Sequence, residues 1–353
     1  MQYFNKINNN WILRFKKPLI ISGPCSAENY YQVLETAKRL SKYSIQIFRA
    51  GIWKPRTKPG SFEGIGEIGL KWLQKIKEET GMMVATEVAN ATHVKYALKY
   101  NIDVMWIGAR STVNPFTVQE IAESLKDTNK IILIKNPINP DFDLWIGAIE
   151  RLIAQGIKNI GVIHRGFSPY NTASYRNIPT WKVVLYFRKI LPNIPILFDP
   201  SHICGQRKGL LTLAQQALNC KHNGLMIETH YSPNNALSDA KQQITPESLL
   251  EYLKCLEFKN KKSRQKLDVI RLQIDELDNQ ILYLLSERFK LSNIIGKLKK
   301  KCNLSFVQNN RCEQMINKLK PYLNRLDISS DIYKILLKSI HKESFDIQNK
   351  TMG

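Results

Sequence analysis

The stretch PLIISGPCSAEN, residues 18–29, joins a short apolar, β-branched run to a glycine-proline turn that carries a cysteine. A run of this kind, apolar at consecutive positions and closed by turn residues, reads as a strand buried on both faces. Seven more follow: IQIFR (45–49), MMVATE (82–87), VMWIG (104–108), IILIK (131–135), NIGVIH (159–164), PILFD (195–199) and GLMIE (224–228). Segments of helical periodicity stand between them, such as YYQVLETAKRLSKY (30–43), FTVQEIAESLKD (116–127) and LWIGAIERLIAQG (144–156); PESLLEYLKCLEF (246–258) follows the last run. Eight strand-helix units in about 240 residues predict an α/β fold of the (β/α)8 barrel type.

The active site of such a barrel lies at the C-terminal ends of its strands. Here those positions are polar. Cys25 follows the first run, Arg49 ends the second with Lys54-Pro55-Arg56-Thr57 beyond it, and Glu87 ends the third. Arg110 follows the fourth, Lys135 ends the fifth, His164-Arg165 the sixth, and Asp199-Pro200-Ser201-His202 the seventh. Glu228 ends the eighth, and Asp239 stands in the loop after it. Singly, each has an ordinary explanation: a solvated loop charge, a hydrogen-bonded histidine, a buried thiol. Together they do not, because the opposite ends of the strands are mostly apolar or small. Cysteine, histidine and carboxylates in one place suit a divalent ion such as Mn, Fe, Co or Zn, and not Mg or Ca, which take oxygen ligands. Arginine and lysine beside them suit phosphate and carboxylate groups. A metal next to phosphate-binding cations points to Lewis-acid activation of a carbonyl.

The length, 353 residues, allows one large domain and a small one. The six cysteines form no CxxC pair and no disulfide framework, which fits a reducing cytoplasm. The N-terminal residues have no apolar core of the signal-peptide type, and no segment approaches the roughly 18 apolar residues of a membrane helix, so no membrane partner is expected. A formal charge of +22 would suit nucleic acid, anionic metabolites or a Lys/Asn/Ile-rich coding bias. The lysines are scattered and not gathered in a block, so nucleic acid is not the expected partner.

The motifs GPCSAEN, FRAGIWKPRTKPGSFEGIG, IGARS, IILIKNP, HRGFS, DPSHICGQR, MIETH and LSDAKQQ resemble, in order, those of the 3-deoxy-D-arabino-heptulosonate 7-phosphate synthases of type I beta, over about residues 12 to 258. The resemblance implies condensation of phosphoenolpyruvate with erythrose 4-phosphate. It implies metal ligands Cys25, His202, Glu228 and Asp239. Arg49 and Lys54 would hold the carboxylate of phosphoenolpyruvate, and Arg110, Lys135, Arg165 and the Ala109 amide its phosphate. Arg56 and Thr57 would take the phosphate of erythrose 4-phosphate. The enol carbon would attack the activated aldehyde, water would add and phosphate depart, with Lys54 as the catalytic proton donor to the new alkoxide. Asn136-Pro137 stands where many members have Arg-Gly, and Ala50 where Gly is frequent. The related 3-deoxy-octulosonate 8-phosphate synthases differ where KPRT stands here.

After a charged linker, KNKKSRQK (259–266), apolar residues fall at 267, 270, 274, 277, 281, 284, 291, 295 and 298, an alternation of three and four that predicts a long helix. The missing member of the series is Arg288, a charge on an apolar seam, which reads as a binding residue. Arg271 and Lys299 are 28 residues apart, roughly 42 Å on one straight helix, so both can serve one small ligand only if two chains contribute. The segments RLQIDELDNQILYLLSERFKLSNIIGKLK (271–299), FVQNNR (306–311) and HKESFDIQ (341–348) resemble the all-helical chorismate mutases. By that resemblance Arg271 of a partner chain, Arg288 and Lys299 bind the carboxylates and ether oxygen of chorismate. Gln308, Arg311, Ser344 and Gln348 complete the pocket, and Lys299 and Gln348 are its catalytic groups. Cys312 stands where the family often has Glu.

The expected organisation is a barrel synthase over 1–258, the linker, and an all-α mutase over 267–353. A homodimer through the helical domain, or a higher oligomer, and feedback by prephenate or chorismate on the barrel are further expectations. The other reading is a synthase alone, with the helices as a regulatory or dimerisation module.

Overall fold

The computed structural model describes residues 9–43, 45–56, 59–169, 175–257, 265–302 and 311–350. Two compact units emerge, Met1–Ile274 and Asp275–Gly353. Most of the expected linker lies outside the described residues.

All eight apolar runs are strands: β1 Leu19–Gly23, β2 Ile47–Arg49, β3 Met83–Val88, β4 Val104–Ile107, β5 Ile131–Lys135, β6 Ile160–His164, β7 Ile196–Phe198 and β8 Gly224–Glu228. Each pairs in parallel with the next, and β8 pairs with β1 to close the barrel. Gly23 lies opposite Glu228 in that last pairing, so the turn bearing Cys25 emerges beside the end of β8. The connecting helices are α1 Tyr30–Ser41, α2 Ile68–Thr80, α3 Ala91–Lys99, α4 Ala109–Thr112, α5 Pro115–Ser124, α6 Phe142–Ala154, α7 Lys182–Ile190, α8 Pro200–Cys204, α9 Leu210–Asn219 and α10 Pro246–Cys255. Their starts are set by side chains that accept from the first free N–H groups, Asn29 for α1, Asn90 for α3, Asp141 for α6 and Thr245 for α10. Asp199 does the same for α8, where its side chain accepts from the backbone N–H of His202.

Strand residues alternate between two apolar clusters. Ile20, Phe48, Val84 and Ile132 pack with the helices, while Ile21, Ile47, Ala85, Trp106 and Leu133 fill the interior. Trp11, from the short helix Asn9–Arg14, joins the interior cluster and donates its indole N–H to Ile160 O at 3.1 Å. Ile160 begins β6, so Trp11 plugs the end of the barrel where the strands start.

The second unit is helical as expected. It comprises α12 Arg311–Leu323, α13 Ser330–Lys350 and the part of α11 Gln265–Lys301 from Asp275 onward; the start of α11, with the buried Val269, belongs to the first unit. Gly296 of α11 faces α13 so closely that a Cβ there would sit 3.2 Å from Gln348 Cα. The three-four seam of α11 is exposed at Leu277, Ile281, Leu284, Leu291, Ile295 and Leu298.

Replacing Trp11 by alanine is expected to cost the barrel about 3–5 kcal/mol, the usual range for emptying a large aromatic site. Chemical denaturation followed by circular dichroism checks it, and an unchanged midpoint would show that Trp11 is not a structural plug.

Candidate active site

Carried to the strand ends, the inward alternation places Arg49, Glu87, Lys135 and Glu228 in the mouth of the barrel, directly above the apolar interior. Trp106 is their floor. The Arg49 guanidinium lies 4.8 Å and Lys135 Nζ 5.9 Å from its ring centre, and its indole N–H donates to Glu87 Oε2 at 2.9 Å. Gly108 leaves room for the Glu87 carboxylate in this position, since a Cβ there would approach its Oε1 to 2.1 Å.

Cys25 is completely buried, and it is central. Its thiol donates to Asp239 Oδ2 at 3.3 Å, and Lys54 Nζ donates to Sγ at 3.0 Å and to Cys25 O at 2.8 Å. Burial pushes the thiol pKa up to about 12, with the Glu228 charge adding to it and Lys54 opposing it. For Lys54, burial works against the charge, but Cys25 and Glu228 outweigh it and the pKa is raised. Glu228 is held below the ordinary carboxylate range: burial would raise it, and His202 and Arg49 overcome that. Asp239 is also depressed, with burial opposed by His202 and Arg176.

The ligand atoms of Cys25, Glu228 and Asp239 all lie within 4.8 Å of one another. His202 stands at the margin of this group. Its Nε2 is 3.7 Å from Glu228 Oε1, while its Nδ1 is drawn to 2.8 Å from Asp199 Oδ2. Glu228 Oε1 is buried without a hydrogen-bond partner, 3.3 Å from Arg49 Nη2. A thiol, two carboxylates and an imidazole around an unsatisfied carboxylate oxygen fit a borderline divalent ion.

Above this group opens a cavity of about 260 Å³, lined by Lys54, Arg56, Ala109, Arg110, Lys135 and Arg165, with Arg176 and Asn177 beside His202 and Asp239. Arg49 lies beneath it, 1% exposed, with Nε and Nη1 unpartnered. Buried donors of this kind are costly unless an anion completes them. Burial lowers the Arg165 pKa to about 10, which leaves it charged at neutral pH. Lys135 Nζ pairs with Asp199 Oδ2 at 3.0 Å.

Several residues that sequence reading did not assign hold these groups. Asn136 accepts from Arg165 N at 2.7 Å and donates to Gly166 O at 2.9 Å, so the residue that departs from the common Arg-Gly pattern fastens one strand end to the next. Asn177 accepts from Arg165 Nη1 at 3.0 Å and donates to His202 O at 2.6 Å. Arg176 bridges Asp239 Oδ1 at 3.0 Å and Gln242 Oε1 at 2.7 Å. Gln242 donates to Glu228 Oε2 at 2.6 Å, and Gln243 accepts from Cys25 N at 3.0 Å. The two glutamines belong to the LSDAKQQ motif and Asn136 to IILIKNP, where it reads only as a departure; Arg176 and Asn177 stand away from any strand end.

The helical unit holds a second cavity, of about 410 Å³. Arg288, Lys299, His341, Ser344 and Gln348 supply its polar lining, and Leu291, Ile295, Met315 and Phe345 its apolar wall. Arg288 Nη1 donates to Ser344 Oγ. Burial lowers the Arg288 pKa. Arg288 and Lys299, 11 residues apart on α11 and so about three turns, share one cavity. Arg271 is exposed and does not line it. Thr57, Gln308 and the Arg311 and Cys312 side chains lie outside the described residues.

Residues 13–265 match the family model described as DAHP synthetase I family, DAHP being the heptulosonate phosphate named above. The chain belongs to that family. Residues 270–349 match the chorismate mutase type II model, so a helical domain of that kind follows the synthase domain. Phospho-2-dehydro-3-deoxyheptonate aldolase of Thermotoga maritima is 35% identical over 225 residues, which are 64% of this chain and 64% of that protein's own length. Its crystal structure superimposes with a TM-score of 0.60 at 31% identity, covering 70% of each chain. The 2-dehydro-3-deoxyphosphooctonate aldolase of Vesicomyosocius okutanii is 27% identical over 259 residues, covering 67% of this chain and 89% of that protein.

Burial would raise the Asp199 pKa, but His202 and Lys135 hold it well below the ordinary carboxylate range. Its stabilisation is present above the unfolded-state value and is lost as pH falls toward the depressed native one. Asp199→Asn is expected to cost about 3–5 kcal/mol at neutral pH and less in acid. Parallel acid-unfolding curves for variant and wild type would contradict this.

Proposed function

We propose that the barrel condenses phosphoenolpyruvate with erythrose 4-phosphate, and that the helical domain converts chorismate to prephenate. One observation carries the first half: the Cys25, Glu228 and Asp239 group underlies a cavity walled by Lys54, Arg56, Arg110, Lys135 and Arg165. The KPRT motif and the Thermotoga relative favour the heptulosonate product over the octulosonate one.

Cys25, His202, Glu228 and Asp239 would hold a divalent ion of the Mn, Fe, Co or Zn class, which would supply Lewis acidity toward the aldehyde oxygen. Arg49 and Lys54 take the carboxylate of phosphoenolpyruvate, which completes the unpartnered Arg49 N–H groups. Arg110, Lys135, Arg165 and the Ala109 amide take its phosphate, and Arg56 with Thr57 takes the phosphate of the aldose. Lys54, charged at neutral pH and 3.0 Å from Cys25 Sγ, gives its proton to the alkoxide formed as the enol carbon attacks.

In the helical cavity Arg288 and Lys299 bind carboxylate and ether oxygen, and Ser344 and Gln348 fix the reactive conformer. A pericyclic step needs no base or nucleophile, so orientation and charge stabilisation suffice. The exposed seam of α11 supports a homodimer, which would bring Arg271 from the second copy, directly or within a higher oligomer. Prephenate or chorismate in this cavity would lower the synthase rate; the fusion of the two domains supports that reading. The cysteine usage supports a cytoplasmic protein, with neither nucleic acid nor membrane as partner.

Assays of both reactions on one preparation test the proposal. Cys25→Ala is expected to abolish condensation and spare the rearrangement, and Arg288→Ala to lower the rearrangement by about 10²–10³ and spare condensation. Loss of both activities from either change would contradict separate sites.

A thiol near pKa 12 must lose its proton to bind metal. Apparent metal affinity should therefore rise about tenfold per pH unit, with measurable proton release. Titration calorimetry showing a pH-independent affinity would remove Cys25 from the ligand set.

A further inference from the structure

Most cations of the barrel mouth stand on strand ends or immediately beside them, but Lys54 and Arg56 stand on a strip that leaves the barrel after β2. The strip returns on itself at an antiparallel bridge between Trp53 and Gly64. Gly64 has φ +102°, and a Cβ there would come within 2.1 Å of Ile52 O, so this turn closes only on glycine. Lys54 N donates to Glu63 O at 2.8 Å. The two side chains differ in how they are held. Lys54 reaches down to Cys25, whereas Arg56 Nε donates at 2.9 Å to Phe62 O, within its own loop. The position of Arg56 therefore depends on what holds the loop.

The imidazole of His93 lies flat on the Trp53 indole, with ring centres 3.8 Å apart and 5° between the planes. His93 is oriented from its own side. Its backbone N–H donates to the Asn90 cap at 2.8 Å, and its Nδ1 accepts from Ala89 N at 3.2 Å, which leaves the proton of the neutral ring on Nε2. Burial lowers its pKa, with Glu87 opposing, so the ring is neutral at neutral pH. His93 does not line the cavity.

We propose that His93 is a positioning residue for the second substrate: stacked on Trp53, it fixes the strip Trp53–Arg56 and so sets the Arg56 guanidinium where the phosphate of the four-carbon aldehyde binds. The inference rests on the synthase reading given above. Phosphoenolpyruvate binding is insulated from it, because Lys54 keeps its own anchor at Cys25 and the remaining cations stand at the strand ends.

Steady-state kinetics of wild type, His93→Ala and His93→Phe, each titrated with both substrates, test this. His93→Ala is expected to raise KM for erythrose 4-phosphate about three- to tenfold, the scale of one aromatic pair, with KM for phosphoenolpyruvate and kcat little changed. His93→Phe, which keeps the stacked face, should recover most of the loss. Unchanged KM for erythrose 4-phosphate in His93→Ala, or a Phe variant no better than the Ala one, would overturn the proposal. If His93→Ala does not fold, Trp53→Leu against Trp53→Tyr reads the same contact from the other side. A wild type inactive with both substrates would refute the synthase reading itself, an outcome distinct from an active wild type whose variants match it.

Discussion

Closing eight parallel strands into a ring commits every second side chain to the interior, and that constraint governs the molecule. The interior is filled with apolar groups from the Trp11 plug up to Trp106, so charge is admitted in one layer only, at the strand ends. The layer is expensive. Arg49 and Lys135 are stripped of water, and they persist because Glu228 and Asp199 pair with them and the Trp106 face lies beneath. The Arg49 donors left over from its pair, and the Glu228 Oε1 that meets Arg49 without a hydrogen bond, point to ligands the protein is built to receive.

The strands were legible in the sequence because burial on both faces removes alternation and leaves continuous apolar runs. The candidate site was legible for a related reason: the end of such a run lies at the rim, where inward alternation turns Arg49, Glu87, Lys135 and Glu228 to the mouth, although His164 at the end of β6 turns outward against Trp181, Phe198 and His222. Asn136, Arg176, Asn177, Gln242 and Gln243 were not, since each acts through a hydrogen bond to a residue brought near by folding. His93 was hidden in the same way, for its partner Trp53 belongs to a different strand-helix unit. His202 shows a further limit. Its motif makes it an expected ligand, but the competition between Asp199 and Glu228 for its ring depends on distances that spacing does not encode.

The two units solve the problem of binding anions differently. In the barrel Arg49 and Lys135 are buried and paired, so their geometry is fixed before substrate arrives. In the helical unit Arg288 interrupts an apolar seam and is steadied by Ser344, while the seam itself remains exposed. An exposed apolar stripe on a long helix is ordinarily covered by another apolar surface, and the proposed homodimer rests on that stripe.

In the proposed site metal, phosphate and carboxylate converge above Trp106. Anomalous diffraction from crystals of the full chain soaked with Mn²⁺ and phosphoenolpyruvate tests it most directly. The expected map has one manganese peak among Cys25, His202, Glu228 and Asp239, with the phosphate between Arg110, Lys135 and Arg165 and the carboxylate on Arg49. A manganese peak away from Cys25, or phosphoenolpyruvate bound elsewhere in the barrel, would contradict it.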